Sequence, residues 1–372
     1  MKSLACILML ACCLSFSCRN KKYSAQQNEK IAIQNIKWKQ QNDFEIKDIL
    51  ENIRYILLEN KTECLFSEIN KLIIENDRIY ILDMYGTKSL LVFDISGKFL
   101  HKIGGVGEGP GEYTRYINFD VYDDTVYVLD LSNNKMLIFD KNGNYIKFVR
   151  SSFKFSDFYI LEQKNFLLSL YHEDNSNSNK VAVTDDMKKR KTAYFSFPTE
   201  HKDNKGNSRS FQPFRGKIAY MYPVSDTLYV FNEQGNVENG YFFDFGSQKL
   251  PERLKNDYTE AIRQRRDNSY AYIYNTPIIV NQYIFTDLFI GNQKCLAVFD
   301  RQKNESACEV ITPENCNIRN INFPLCAMDD SILVSHIDKF IYEIMKDKDL
   351  LDSKTAEHLS NDGIVLCLYK LK

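Results

Sequence analysis

Apolar residues along this chain fall in runs of about five or six, separated by polar clusters, and one phrase keeps returning. It reads IYILDMYGTKSLLVFDISGKFLHKIG from Ile79 to Gly104 and VYVLDLSNNKMLIFDKNGNYIKFVR from Val126 to Arg150. In each copy two apolar runs flank a polar turn, and a tight turn then leads into a third run. The pattern predicts three strands of a small antiparallel meander. A repeated unit of this kind points to a propeller, in which neighbouring copies stack to bury faces that one copy cannot bury alone.

Six such units align on the first apolar residue of their second strand: Ile79, Val126, Phe166, Ile218, Tyr283 and Ile332. The spacings are 47, 40, 52, 65 and 49 residues, near the length of a four-stranded blade. The longest spacing contains PERLKNDYTEAIRQRR, Pro251 to Arg266, where Leu254, Tyr258, Ala261 and Ile262 share one helical face. A helix is therefore expected between blades four and five, with Pro251 in its first turn. A second helix is expected near the C-terminus over IYEIMKDKDLLDSKTAEHLS, followed by a last strand at IVLCLYKL. Near the N-terminus IAIQNIKW and IRYILLE read as strands with no blade of their own. Pairing the N-terminal strand beside the C-terminal ones would close the ring and remove open edges. The expected fold is an all-β, six-bladed β-propeller over residues 31–372, closed by its two chain ends.

Composition changes this picture little. The 372 residues are 44% hydrophobic and 26% charged, with 23 Tyr and 25 Phe suited to pleated, half-buried surfaces. A net charge of −1 gives no overall pull on nucleic acid, so no nucleic-acid partner is expected. The chain is expected to be a monomer.

The first residues read as an address. Lys2 precedes an apolar stretch from Leu4 to Phe16, of secretory-signal length and too short to span a bilayer. It ends in Leu14-Ser15-Phe16-Ser17-Cys18, which resembles a bacterial lipobox. Residues 1–17 are thus expected to be a signal peptide, Cys18 the lipidated N-terminus, and residues 18–30 a polar tether to a membrane. Six cysteines remain in the body: Cys64, Cys295, Cys308, Cys316, Cys326 and Cys367. Export permits disulfides, but no spacing selects a pairing, and buried free thiols are the expectation.

The run Leu91 to Tyr113, LVFDISGKFLHKIGGVGEGPGEY, carries an F-D-x-x-G-K-F-L hairpin followed by I-G-x-x-G-x-G-P-G-E-Y. With DTLYVF at Asp226 to Phe231 and the closing LYKLK, it resembles the six-bladed β-propeller lipoproteins of Bacteroidetes, relatives of NHL-repeat propellers. The resemblance extends from about Arg54 to the C-terminus. It implies a cell-envelope location as an outer-membrane lipoprotein. The basic Arg19-Asn20-Lys21-Lys22 lacks the acidic residues that surface lipoproteins of the phylum usually carry, which favours the periplasmic face. Three triplets, Asp124-Thr125-Val126, Asp226-Thr227-Leu228 and Asp330-Ser331-Ile332, are also similar to acceptors for O-glycosylation in such proteins.

Candidate chemistry is sparse. The glycine run from Gly104 to Gly111 lacks the Lys-Ser/Thr pair and following helix of a phosphate loop, so it reads as a connection between blades. Asp83 and Asp130 end equivalent strands, and Asp287 occupies the matching place in blade five. With His336 they are the candidates for a divalent cation in the central channel, against the simpler reading that each aspartate caps a turn. No cofactor is expected beyond that. Links between blades are longer than the turns within hairpins, and long links on a rigid scaffold are where binding usually lives. To that face the sequence assigns Arg115, Tyr116, Arg209, Arg215, Arg265, Arg266 and Tyr272, together with Arg319, Tyr270 and Tyr274. Arginine forks beside tyrosines suit carboxylated or sulfated glycans and peptide carboxylates. No catalytic residues are assigned. The expected function is non-catalytic binding or scaffolding of a glycan, peptide or envelope partner. The alternative is a polysaccharide lyase or hydrolase with its site in the central funnel.

Overall fold

The computed structural model describes residues 31–39, 41–114, 116–172, 179–198, 201, 207–310, 312–313, 316–318, 321 and 324–372, with the backbone alone at 266 and 267. The expected leader, lipidation at Cys18 and tether lie outside these residues.

The six aligned units each form a sheet of four or five strands, arranged as the blades of one propeller. Blade one runs Lys71–Glu75, Arg78–Asp83, Ser89–Asp94 and Phe99–Ile103, each strand antiparallel to the next. Blade two repeats this from Ile117 to Arg150, and blade three from Phe155 to Ser196. The Asp-x-x-Gly turns have a common mechanism. Asp94 accepts from the backbone N–H groups of Ser96 (2.9 Å) and Lys98 (3.1 Å), and Asp140 does the same for Asn142 and Asn144. Gly97 takes φ +90°, a region a Cβ would strain, and its counterpart Gly143 takes +85°.

Each gap between blades holds its own apolar core. Ile117, Phe119 and Phe139 of blade two meet Leu82, Leu90 and Val92 of blade one, and equivalent clusters fill the other gaps around the ring. The ring is closed by Leu50–Leu57, which pairs antiparallel with Val365–Leu371 as the outermost strand of blade six. The earlier N-terminal strand does something else. Ala32–Lys37 lies parallel to Val237–Asp244 as a fifth strand on blade four, not beside the C-terminal strand. Between these two strands, Asn42 and Asp43 bond the backbone of Cys308 and Ser306 on the outer strand of blade five. The segment from Ala32 to Leu57 therefore covers the edges of blades four, five and six in turn. Those edges would otherwise present unpaired backbone groups.

Both helical insertions are present and both are broken. The first comprises α1 (Glu252–Lys255) and α2 (Tyr258–Asn268), split where the Asp257 side chain accepts from Glu260 N–H at 3.0 Å. Pro251 lies just before α1 in an extended conformation. Leu254 and Ala261 are buried against Leu250 and Tyr272, as their spacing implies. The C-terminal insertion, expected as one helix, is α3 (Lys339–Ile344) and α4 (Ser353–Ser360), between the second and third strands of blade six. Asp347 turns away to accept from Ile318 N–H at 2.8 Å, and Asp352 starts a new helix by accepting from Thr355 N–H at 2.9 Å. All six body cysteines are free thiols, and only Cys308 is not fully buried.

A candidate ligand-binding funnel

The antiparallel order sends links between blades, and loops between second and third strands, to one face. Turns between first and second strands emerge on the other. On the loop-rich face the axial channel widens into a cavity of about 490 Å³. Tyr85, Tyr116, Tyr171 and Tyr274 line it, coming from the links and loops of blades one, two, three and five. Tyr85 and Tyr116 are 63% and 51% exposed, so their rings stand free at the rim. Asn70, Asn207, Asn275, Ser132, Ser156 and Ser208 complete its polar lining, with the Asn207 amide already bonded to the Arg209 N–H and the Tyr274 carbonyl. The one charged side chain in the described lining is Arg209.

Arg209 also lines a second cavity of about 310 Å³ that opens on the turn face, so it stands where the two meet. Burial lowers the pKa of its guanidinium below the usual value, against the opposing charge of Asp287. Beside it the innermost strands are fastened across the channel. Lys71 Nζ of blade one lies 2.8 Å from Asp157 Oδ1 of blade three and 3.2 Å from Asn118 Oδ1 of blade two. Asp157 Oδ2 accepts from the N–H groups of Ser210 (2.7 Å) and Phe211 (3.1 Å) in blade four. Asp157 has no solvent exposure and Lys71 only 7%. The turn-face cavity is also lined by Asp120 and Glu75, whose carboxyls burial pushes up to about 7.

The residues singled out from sequence separate under this geometry. Tyr116 and Arg209 meet in the funnel with Tyr274. Arg215 does not join them: it lies in the first turn of blade four, on the opposite face. There its Nε is 3.1 Å from Asp330 of blade six and its Nη2 donates to Asn281 of blade five. Tyr272 is 2% exposed, and Arg265 donates to its hydroxyl while lying over the rings of Tyr272 and Phe289 at 5.5 and 5.4 Å. That pair fastens α2 to blade five. Arg115, Arg319 and the side chain of Arg266 lie outside the described residues.

The acidic candidates are likewise dispersed. Asp83 is fully buried and accepts from the N–H groups of Ser67, Gly86 and Thr87. Burial raises its pKa, but these bonds outweigh it and hold the carboxyl below its usual range. Asp130 does the same with Thr114 and Asn133. Asp287 does not end its strand, which continues to Ile290, and it pairs with Lys294 at 3.0 Å. His336 Nδ1 is buried without a hydrogen-bond partner among the described residues, and burial lowers its pKa. Among the described residues no three His, Cys, Asp or Glu side chains converge as a metal ion would require. The glycine run is a built connection: Glu112 folds back to accept from Gly109 N–H at 2.7 Å, and a Cβ at Gly107 would sit 2.1 Å from its carboxylate.

Sequence reading missed Tyr85, Tyr171 and the channel-crossing Lys71–Asp157 pair. Tyr85 and Tyr171 were within reach, because both follow the second strand of their blades by one or two residues. Equivalent positions in a propeller face the same rim.

Fold and funnel together define a closed six-bladed propeller with one elaborated face. A family model described as a domain of unknown function (DUF4934) matches residues 29–362, and the chain belongs to that family. Among solved structures it is similar to a candidate exported protein of Bacteroides fragilis NCTC 9343. That likeness has a TM-score of 0.77 at 20% identity, covering 91% of this chain and 100% of the other. It is also similar to a member of the DUF4221 family from Bacteroides vulgatus, with TM-score 0.51, 11% identity, and 87% and 98% of the two chains covered. At these identities the likeness is one of fold. No curated protein matches the sequence.

Proposed function

We propose that this protein is an exported, lipid-anchored binding module that holds a glycan in its loop-face funnel without transforming it. The observation that carries this reading is the gathering of four tyrosines with asparagine and serine residues in one cavity. Aromatic faces supply rigid area for the apolar faces of sugar rings, and the polar groups suit their hydroxyls. The described lining offers phenols, amides, hydroxyls and a guanidinium, groups that hold sugars by stacking and hydrogen bonding. Placement in the envelope rests on the leader and Cys18, and is in keeping with the exported character printed for the B. fragilis neighbour. The periplasmic face of the outer membrane is the side we favour. Protease treatment of intact cells should therefore spare the protein, and rapid loss would put it on the surface.

The functional test is a glycan and peptide array with the soluble body from Lys30 onward, wild type against Tyr85→Ala plus Tyr116→Ala. Both rings are mostly exposed, so the double variant should fold normally and lose binding at least about tenfold. Absence of any glycan ligand would overturn the reading. Unsaturated uronate ends or new reducing ends in the bound glycan would replace it with the lyase or hydrolase alternative.

A further inference from the structure

We infer that the ligand of this funnel is an acidic glycan, and that the Arg209 guanidinium at the floor receives the carboxylate of a uronic acid residue. The inference rests on the glycan reading of the funnel and adds the chemical class of the sugar. Arg209 is held from both sides by its backbone. Its own N–H donates to Asn207 Oδ1 at 2.8 Å, Asn207 Nδ2 donates to Tyr274 O at 3.1 Å, and the next residue is anchored to Asp157. The side chain is nevertheless under-used. Among the described residues its one side-chain hydrogen bond is from Nη1 to the Pro324 carbonyl, at 3.3 Å, and no carboxylate lies within ion-pair distance. Nearby charges are already matched: Lys71 pairs with Asp157, and Asp287 with Lys294.

A half-buried guanidinium with no paired anion among the described residues retains most of its five donors for whatever enters. Of the two cavities it lines, the loop-face one holds no carboxylate in its described lining, whereas the turn-face one holds Glu75, Asp120, Asp329 and Asp330. The planar fork matches a carboxylate through two parallel bonds, which an ammonium cannot reproduce. The tyrosines above would hold the ring that carries this carboxylate.

The test uses tetrasaccharides of galacturonate, of guluronate and of glucuronate–N-acetylglucosamine, each beside its methyl ester, titrated calorimetrically into the soluble body. Esterification removes the charge and leaves the ring. At least one free acid should bind wild type about ten- to a hundredfold more tightly than its ester, as a desolvated charge-assisted pair implies. Arg209→Gln should bring acid and ester to the same affinity. Arg209→Lys, which keeps the charge and guards against misfolding of the glutamine variant, should retain a preference several-fold smaller. Equal binding of acid and ester to wild type would overturn this inference alone. No binding by any member, acid or ester, would overturn the glycan reading with it.

Discussion

Replacing Lys71 by Met should weaken the whole ring, not one blade. Lys71, Asn118, Asp157 and Ser210 come from blades one, two and three and from the entry to blade four, and they meet in a channel where Asp157 has no solvent exposure. Removing one partner of a buried pair typically costs ~3–5 kcal/mol, because the survivor keeps its desolvation penalty without its counter-charge. Asp157 would still accept from Ser210, Phe211 and Asn118 Nδ2, the last at 2.8 Å. Three donors remaining place the expected loss at the low end, about 3 kcal/mol. For a domain of this size that is a fall of roughly 5 °C in Tm. Circular dichroism melting and urea titration of wild type and Lys71→Met measure it, and the transition should remain single. Adding Asp157→Asn removes the stranded charge and keeps one acceptor, so the double variant should recover about half the loss. A Lys71→Met protein melting within a degree of wild type would refute the reasoning. So would a double variant as unstable as the sum of the single ones.

Three other expectations follow from the geometry. Burial raises the Asp120 carboxyl to about 7 from an unfolded value near 3.8, so between these values the folded state holds the extra proton. Stability carried by that proton is complete below about pH 4 and is lost as pH rises through 7; Asp120→Asn should flatten the fall in Tm measured from pH 4 to pH 8. Arg265→Ala should cost about 1–2 kcal/mol by removing the guanidinium from the Tyr272 and Phe289 rings, yet leave glycan affinity unchanged; weakened binding at unchanged Tm would return Arg265 to the site. Deleting residues 1–38 strips the parallel strand from blade four and leaves the ring closed, so the protein should still fold. Deleting residues 1–58 removes the outer strand of blade six as well and should leave no soluble monomer on gel filtration.

How far the sequence reaches depends on whether a feature is local and repeated. Blade number was legible because each blade restates one hydrophobic pattern with one turn chemistry. The Asp-x-x-Gly turns after Asp94 and Asp140 use the same side-chain-to-backbone bonds in both copies. The capping roles of Asp83 and Asp130 were legible for the same reason. Closure by Leu50–Leu57 followed from counting a missing strand in blade six. The destination of Ala32–Lys37 did not follow, since an apolar strand fits any open edge and only the path of the chain past blade five selects blade four.

Arginine and tyrosine content marked the loops, but residue type alone does not say which rim a side chain reaches. Arg215 is within a few residues of Arg209 in sequence, and one strand, Phe211–Phe214, carries the chain between them across the depth of the propeller. The Arg215 guanidinium therefore ends at the turn-face mouth, whereas Arg209 lines both cavities. By itself the sequence determined a ring of six similar sheets, because local hydrophobic period and turn chemistry are properties of short segments. Only the tertiary structure decided which tyrosines share a funnel, that Lys71 meets Asp157 across the channel, and that Arg209 stands between two cavities. Those arrangements join residues tens to hundreds of positions apart, and they exist only once the ring is closed.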